Sequence, residues 1–351
     1  MAKTKITGAR VAALCTSVPS ARFDNLKDTK DFSREEVRKV TAMAGVSARR
    51  VADENTCSSD LCEIAANRAL EMADWDRESV DALILVTQTP DYFLPSTSCV
   101  LHEKLGLSTD CATFDVGLGC SGYPYGLWLA GMMLQGGGIR RALLLHGDTL
   151  TRYSHKSDRS VSLLFGDAGS ATAIEGNGCD TADAWSFLLH TDGSRYRDLL
   201  IEAGGFRDRF CTDRRRHYVS MDGAAIFNFT IKRVPDLVRD TLSFTELSAK
   251  DIDYFIFHQA NRFIVKHLVK KLEIPEEKVP LVLEEYGNTG GVSLPLTITQ
   301  GKLDRTGKEK LNLMLLGYGT GMSWASALIK IEAGVPIDHI ELPDREGASS
   351  A

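Results

Sequence analysis

The sequence predicts an α/β protein built from one unit used twice, and three observations carry that reading. First, strand-length apolar runs (DALILVTQ, ATFDV, RALLLHGD, SATAIE, WSFLLHTD, YFIFHQ and LNLMLLG) alternate with longer helix-like stretches. Second, several of these runs are apolar throughout, the pattern of strands covered on both faces by helices. Third, the chain repeats itself.

The repeat has three parts. VDALILVTQ, from Val80, matches IDYFIFHQ, from Ile252, and the helix ends HEKLGL and VKKLEI follow them. FGDAGSATAIE matches YGTGMSWASALIKIE: an aromatic and a glycine, then Ala-x-Ala and an aliphatic. Gly119-Cys120-Ser121-Gly122 lines up with Gly287-Asn288-Thr289-Gly290, each read as following a strand-like run and preceding a helix-like one. All three pairs fall in the same order. The join lies near EGNGCDTADAW (Glu175 to Trp185), giving an N-terminal half of residues 1–178 and a C-terminal half of 179–331. Residues 332–351 lie outside the repeat, end in small polar residues and read as a surface tail.

Composition narrows the function. A 351-residue chain with 43% hydrophobic and 25% charged residues is globular. Its net charge of −6, with both signs interspersed, argues against nucleic acid, which needs a basic surface. No 18-residue apolar run is present, so no membrane association is expected. The opening MAKTKITGARVAAL lacks a signal-peptide core, and a cytoplasmic location is expected. The eight cysteines, at 15, 57, 62, 99, 111, 120, 179 and 211, follow no paired metal spacing. Cys57 and Cys62 lie closest, without a partner pair or histidine, so free thiols and no metal are expected.

Chemistry concentrates at DVGLGCSGYPYGLW. A cysteine at a helix start meets unpaired N–H groups and the positive end of the helix dipole, which favour the thiolate. Gly117, Gly119 and Gly122 are expected to supply positive φ and close approach, and Pro124 suits a first helical turn. An activated nucleophile and a small buried residue in a tight connection both fit. His258, in HQAN, ends an apolar run where α/β proteins place ligands, although a structural histidine fits there too. Asn288, in GNTGG, reads alone as a turn residue. His146, in LLLHGD, reads as structural. Cys, His and Asn occur in the chain order of papain-like proteases, but the local cysteine pattern of those enzymes is missing.

Taken together, Cys120 in GCSGYPYGL, His258 in HQAN and Asn288 in GNT resemble the catalytic trio of the β-ketoacyl-acyl carrier protein synthase III family, thiolase-fold condensing enzymes. FGDAGSA, HTDGS and GYGTGMSWASAL extend the resemblance over residues 5–331. It implies a five-layered αβαβα thiolase fold with mixed sheets around buried helices, a homodimer, and no cofactor beyond the thioester substrates. Those substrates are acyl-CoA or an acyl carrier protein thioester as primer, and malonyl-carrier as extender. The resemblance further implies that Cys120 takes the acyl primer and that the amides of Cys120 and Thr320, flanked by Gly319 and Gly321, hold the oxyanion. His258 and Asn288 would hold the enolate left when malonyl loses carbon dioxide, giving a 3-oxoacyl thioester.

Departures bear on the substrate. Where relatives grip the adenine of CoA with Trp and Arg, this chain has Lys39 and Met43, while Arg159 matches a second adenine-side arginine. GNTGG replaces the commoner GNTSA. Leu94 aligns with a residue that reaches across the dimer to limit the acyl pocket. Arg262, Lys266 and Lys270 form a basic stripe, flanked by Lys271, on which an acidic carrier protein is expected to dock; an ordinary solvated face also fits. RDRFCTDRRRH is a second basic run, read as a surface loop. Two further readings stay open: acyl transfer to an alcohol or amine without condensation, and a non-catalytic subunit of a heterodimeric synthase.

Overall fold

The computed structural model describes residues 2–176 and 184–342. The 178/179 boundary and Cys179 lie outside the described residues. The first half runs β1 (Ala2–Ile6), β2 (Ala9–Pro19), β3 (Arg22–Asp24), α1 (Asn25–Asp28), α2 (Arg34–Ala44), β4 (Ala48–Arg50) and α3 (Ser58–Ala73). It continues through β5 (Ala82–Val86), α4 (Thr97–Lys104), β6 (Ala112–Val116), α5 (Gly122–Gln135), β7 (Arg141–Thr149) and β8 (Asp167–Gly176). The second half runs β9 (Trp185–Thr191), β10 (Leu199–Leu200), β11 (Ser220–Met221), α6 (Gly223–Thr245), β12 (Tyr254–Phe257) and α7 (Arg262–Leu272). It ends with α8 (Leu283–Tyr286), α9 (Ser293–Gln300), β13 (Lys310–Gly319), β14 (Ser323–Glu332) and β15 (Ile337–Leu342).

Two sheets result, ordered β15-β2-β8-β7-β5-β6 and β1-β9-β14-β13-β12. The run β2-β8-β7-β5 of one is repeated as β9-β14-β13-β12 in the other. The directions repeat as well: within these two runs β5 is parallel to β7 and β12 to β13, and the other neighbours are antiparallel. The duplication read from short motifs is thus a duplication of topology. The halves also exchange edges. β1 of the first half pairs with β9, and β15, following the second half, lies parallel to β2.

β15 corrects the expected tail. Residues 337–342 are an edge strand, and Arg68 at α3 pairs with Asp338 on it. Alternating polar residues in IDHIEL hid the strand, as expected of a half-exposed edge.

The apolar runs are explained by layers. On β7, Ala142 and Leu144 face a central cluster that includes Leu127 and Ala130 of α5, Leu294 and Ile298 of α9, and Leu313 and Leu315 of β13. Leu143 and Leu145 face the opposite way, onto Cys62, Ala65, Ala66 and Ala69 of α3. Similarly, Met314 and Leu316 meet Val234, Leu237 and Val238 of α6 and Ile264, Val265 and Leu268 of α7. Helices therefore lie outside each sheet and between the two sheets: five layers, αβαβα. A strand buried on both faces has no polar side to alternate with. Among the described residues no helix is long and apolar enough to cross a membrane.

Candidate active site

The starts of α5 and α9, in the middle layer, bring the two repeat-related corners together. A cavity of about 310 Å³ opens there, and Cys120, His258 and Asn288 all line it. Its remaining walls are mainly apolar, including Leu164, Phe165, Leu200, Met221 and Ile226. Such a cavity fits an apolar chain that delivers a reactive carbonyl to the sulfur.

Cys120 precedes α5, on the turn after β6, and Pro124 lies in the first helical turn as expected. Burial raises its thiol pKa. The charge and hydrogen bond of His258, with the N–H and hydroxyl of Thr320, outweigh that and hold the pKa below the ordinary value. Thr320 Oγ1 lies 3.9 Å from the sulfur. The loop after β13 approaches so closely that a Cβ on Gly319 would sit 2.7 Å from the sulfur, a distance only glycine avoids. Gly319 and Thr320 line the cavity with Cys120. Ser323 Oγ bridges this loop to the turn that carries Cys120, donating to Thr320 O at 2.9 Å and accepting from Ser121 Oγ.

The three glycines before and after Cys120 play another part than expected. None of Gly117, Gly119 and Gly122 has a positive φ. Gly119 and Gly122 leave space for neighbouring side chains: a Cβ would lie 2.0 Å from Gln88 Oε1 in the first case and 2.5 Å from Val86 Cγ1 in the second.

His258 sits one residue beyond β12, and its N–H extends the ladder to Leu316 O at 2.8 Å. Ser293, at the start of α9, lies 2.9 Å from His258 Nδ1, which leaves Nε2 for the sulfur. Tyr318 OH donates to His258 O at 2.9 Å. Gln259 ties the strand end to the segment before Asn288, since its Oε1 accepts from Val282 N and Leu283 N, both at 2.9 Å. Ser293, Tyr318 and Gln259 carry no motif signal of their own. All three lie inside or beside the quoted motifs, and only the fold reveals which face the histidine.

Asn288 is not preceded by a strand. Its corner follows the short helix α8, and a lone parallel bridge to Phe165 replaces the strand partner that β6 provides on the other side. Asn288 N donates to Leu164 O at 2.8 Å, and Asn288 O accepts from Gly166 N at 3.0 Å. The side chain is fixed too, with Oδ1 accepting from Gly290 N at 3.0 Å and Nδ2 donating to Ala260 O at 3.4 Å. An amide N–H is thereby aimed from a buried, immobile group, as stabilisation of an oxyanion requires.

The peripheral expectations fare differently. Leu94 is 88% exposed, outside the cavity, beside exposed Tyr92 and Phe93. Gly321 adjoins the cavity-lining Gly319 and Thr320 without lining the cavity itself. Arg159 is a surface residue paired with Glu36 at 3.1 Å, and Glu36 also caps α2 through Ser33. Met43 is exposed, and Lys39 pairs with Glu35 at 2.8 Å. Arg262 does not belong to a free basic stripe. It packs on Gly45 and bonds Gly45 O at 3.2 Å and Glu284 at 2.9 Å. Lys271 donates to Ile231 O at 2.7 Å, whereas Lys266 and Lys270 are exposed. The run 207–217 is surface, with Arg216 paired to Glu202 and Asp208.

Comparison with known proteins fits this geometry. Residues 114–193 match the family model "3-Oxoacyl-[acyl-carrier-protein (ACP)] synthase III", and residues 242–331 match the model of its C-terminal part. The chain is 36% identical to a putative 3-oxoacyl-[acyl-carrier-protein] synthase 3 of Campylobacter jejuni, over 94% of this chain and 96% of that one. It is 35% identical to a beta-ketoacyl-[acyl-carrier-protein] synthase III of Alkalilimnicola ehrlichii, covering 92% of this chain and 99% of the other. A crystal structure of a 3-oxoacyl-(acyl-carrier protein) synthase from Burkholderia xenovorans superposes with a TM-score of 0.92 at 42% identity, over 97% of this chain and 99% of that one. The chain belongs to the 3-oxoacyl-[acyl-carrier-protein] synthase III family.

Proposed function

We propose that this protein is a condensing acyltransferase that joins an acyl primer to a malonyl thioester, in fatty-acid or polyketide-type synthesis. The observation that carries the reading is the meeting of Cys120, His258 and Asn288 at one apolar cavity, with the thiol pKa lowered by His258 and Thr320. The Cys120 thiolate attacks the primer carbonyl, and the primer's carrier leaves as its thiol. The amides of Cys120 and Thr320 hold the oxygen that becomes negative in between. The malonyl thioester then loses carbon dioxide, and the electron pair of the broken bond forms an enolate. His258 Nε2 and Asn288 Nδ2 hydrogen-bond its oxygen. The enolate carbon attacks the acyl-cysteine carbonyl, and the Cys120 thiolate leaves. These steps use the two thioesters and the protein's own groups.

Carrier-bound substrates suit the surface best. Where the resemblance places recognition of the CoA nucleotide, Arg159 is engaged by Glu36 and Lys39 by Glu35. Both cations are thereby already paired with carboxylates. Lys266 and Lys270 supply the exposed charge for an acidic acyl carrier protein. Lys270→Glu is expected to raise KM for malonyl-carrier several-fold while leaving KM for malonyl-CoA unchanged. Equal KM values in variant and parent would remove this docking surface. A homodimer is supported by the open edge strand β6 and the neighbouring exposed Tyr92, Phe93 and Leu94. The described cysteines are free thiols, which supports a cytoplasmic location.

The test is intact mass of the protein after incubation with acyl-CoA and acyl-carrier donors, followed by malonyl-carrier. An acyl adduct on Cys120, then carbon dioxide and a 3-oxoacyl-carrier, are expected. No adduct from any donor would refute the nucleophile. An adduct passed to an alcohol or amine, without carbon dioxide release, would favour simple acyl transfer.

A further inference from the structure

His146 is fully buried, on the face of β7 that Ala142 and Leu144 turn to the middle layer. Its ring lies in the seam where the start of α5 meets the turn into α9. A Cβ on Gly122 would be 3.2 Å from His146 Cε1, and one on Gly291 would be 2.1 Å from the same atom. Gly291 has an ordinary φ, so space alone demands glycine there. The bare GNTGG corner thus has a physical reason: the imidazole, with the carbonyl of Gly119 beside it, occupies the place of a side chain at 291.

The polar side of the seam is unusual. Neither ring nitrogen of His146 has a hydrogen-bond partner among the described residues, and neither does Asp148 Oδ2, which lies 3.7 Å from Nε2. Asp148 is itself fully buried. Its other oxygen accepts from Gln88 N at 2.7 Å and from the hydroxyls of Thr87 and Thr89. Gln88 in turn lies against Gly119 and lines the cavity. Unbonded buried polar atoms are costly, and an aliphatic side chain would fill the same seam without that cost. A group kept at such a cost, between two reacting corners, points to a role in the reaction more than in stability.

We propose that His146 is a positioning residue that sets the distance between the Cys120 and Asn288 corners. It touches the glycine that opens the nucleophile's helix and the glycine three residues after Asn288. The proposal rests on the roles given above to Cys120 and Asn288. It predicts coupling between positions 146 and 291 that neither position has alone.

The experiment measures acylation of Cys120, carbon dioxide release from saturating malonyl-carrier, and Tm. It compares the parent protein, Gly291→Ala, His146→Ala and the double variant. Gly291→Ala in the parent is expected to lower kcat for decarboxylation at least tenfold, with KM within twofold, because the added methyl meets the ring. In the His146→Ala background the ring is gone, and among the nearest atoms only Gly119 O, 2.6 Å from the Cβ position, still opposes the methyl. There the loss is expected to be at least threefold smaller than in the parent, so the effect of the methyl depends on the ring at 146. A Gly291→Ala protein within twofold of the parent would overturn the proposal, as would equal losses in both backgrounds or a lower Tm with unchanged rates. If His146→Ala does not fold, the same comparison is made in a His146→Ser background. A parent protein that releases no carbon dioxide refutes both readings; a normal parent with unresponsive variants refutes this one alone.

Discussion

The Cys120 and Asn288 corners are the same turn used twice, and their differences divide the chemistry. Cys120 follows a full strand, projects a sulfur into the cavity and is approached by a loop from the other half. Asn288 follows a short helix, binds its own turn through Oδ1 and is held on both backbone sides by the segment around Phe165. In the proposed reaction one corner presents a group that forms and breaks a bond, and the other a hydrogen-bond donor that stays still. A duplicated fold therefore supplies two equivalent helix starts facing one centre, and what surrounds each start decides whether it reacts or stabilises.

The comparison is broken most severely by Cys120→Ala. With no sulfur the acyl adduct disappears from the mass spectrum, and condensation is expected to fall by on the order of 10⁴-fold or more. His258→Ala acts on both corners. Loss of an oxyanion donor is expected to cost about 10²–10³-fold in decarboxylation. The sign of its effect on the thiol is fixed by the competing influences. In the parent, His258 and Thr320 outweigh burial and lower the Cys120 pKa. Without the histidine, burial gains, the pKa rises, and the pH profile of Cys120 alkylation moves to higher pH. A profile that stays in place or moves down would contradict the assigned contact. Ser293→Ala is the mildest. It removes the bond to His258 Nδ1, worth about 0.5–1.5 kcal/mol, so decarboxylation is expected to fall by about 2- to 10-fold with acylation little changed.

Much of this was legible in the sequence. Runs such as RALLLHGD and YFIFHQ announced strands covered on both faces, and the paired motifs announced the duplication. His258 was visible because it ends an apolar run, and Cys120 and Asn288 because each sits in the same Gly-x-[Ser/Thr]-Gly corner. Other features were hidden for physical reasons. β15 is a polar edge strand whose partner, β2, lies more than 300 residues away in the chain. Arg262 reads as one charge of a stripe, because helix spacing says nothing of Glu284, which arrives from another segment. The glycines around Cys120 read as conformational devices and proved to be spaces for Gln88 and Val86. His146 reads as structural until the bare glycine at 291 is seen against its ring. Spacing along a chain reports which face a residue shares; it does not report what fills the space opposite.

The division of labour between the corners is tested most directly by Asn288→Ala, pre-incubated with an acyl donor and then given malonyl-carrier. The predicted result is a full acyl adduct on Cys120 with carbon dioxide release reduced by about 10²-fold or more. Parallel loss of both steps, or survival of both, would contradict the assignment of nucleophile to one corner and enolate donor to the other.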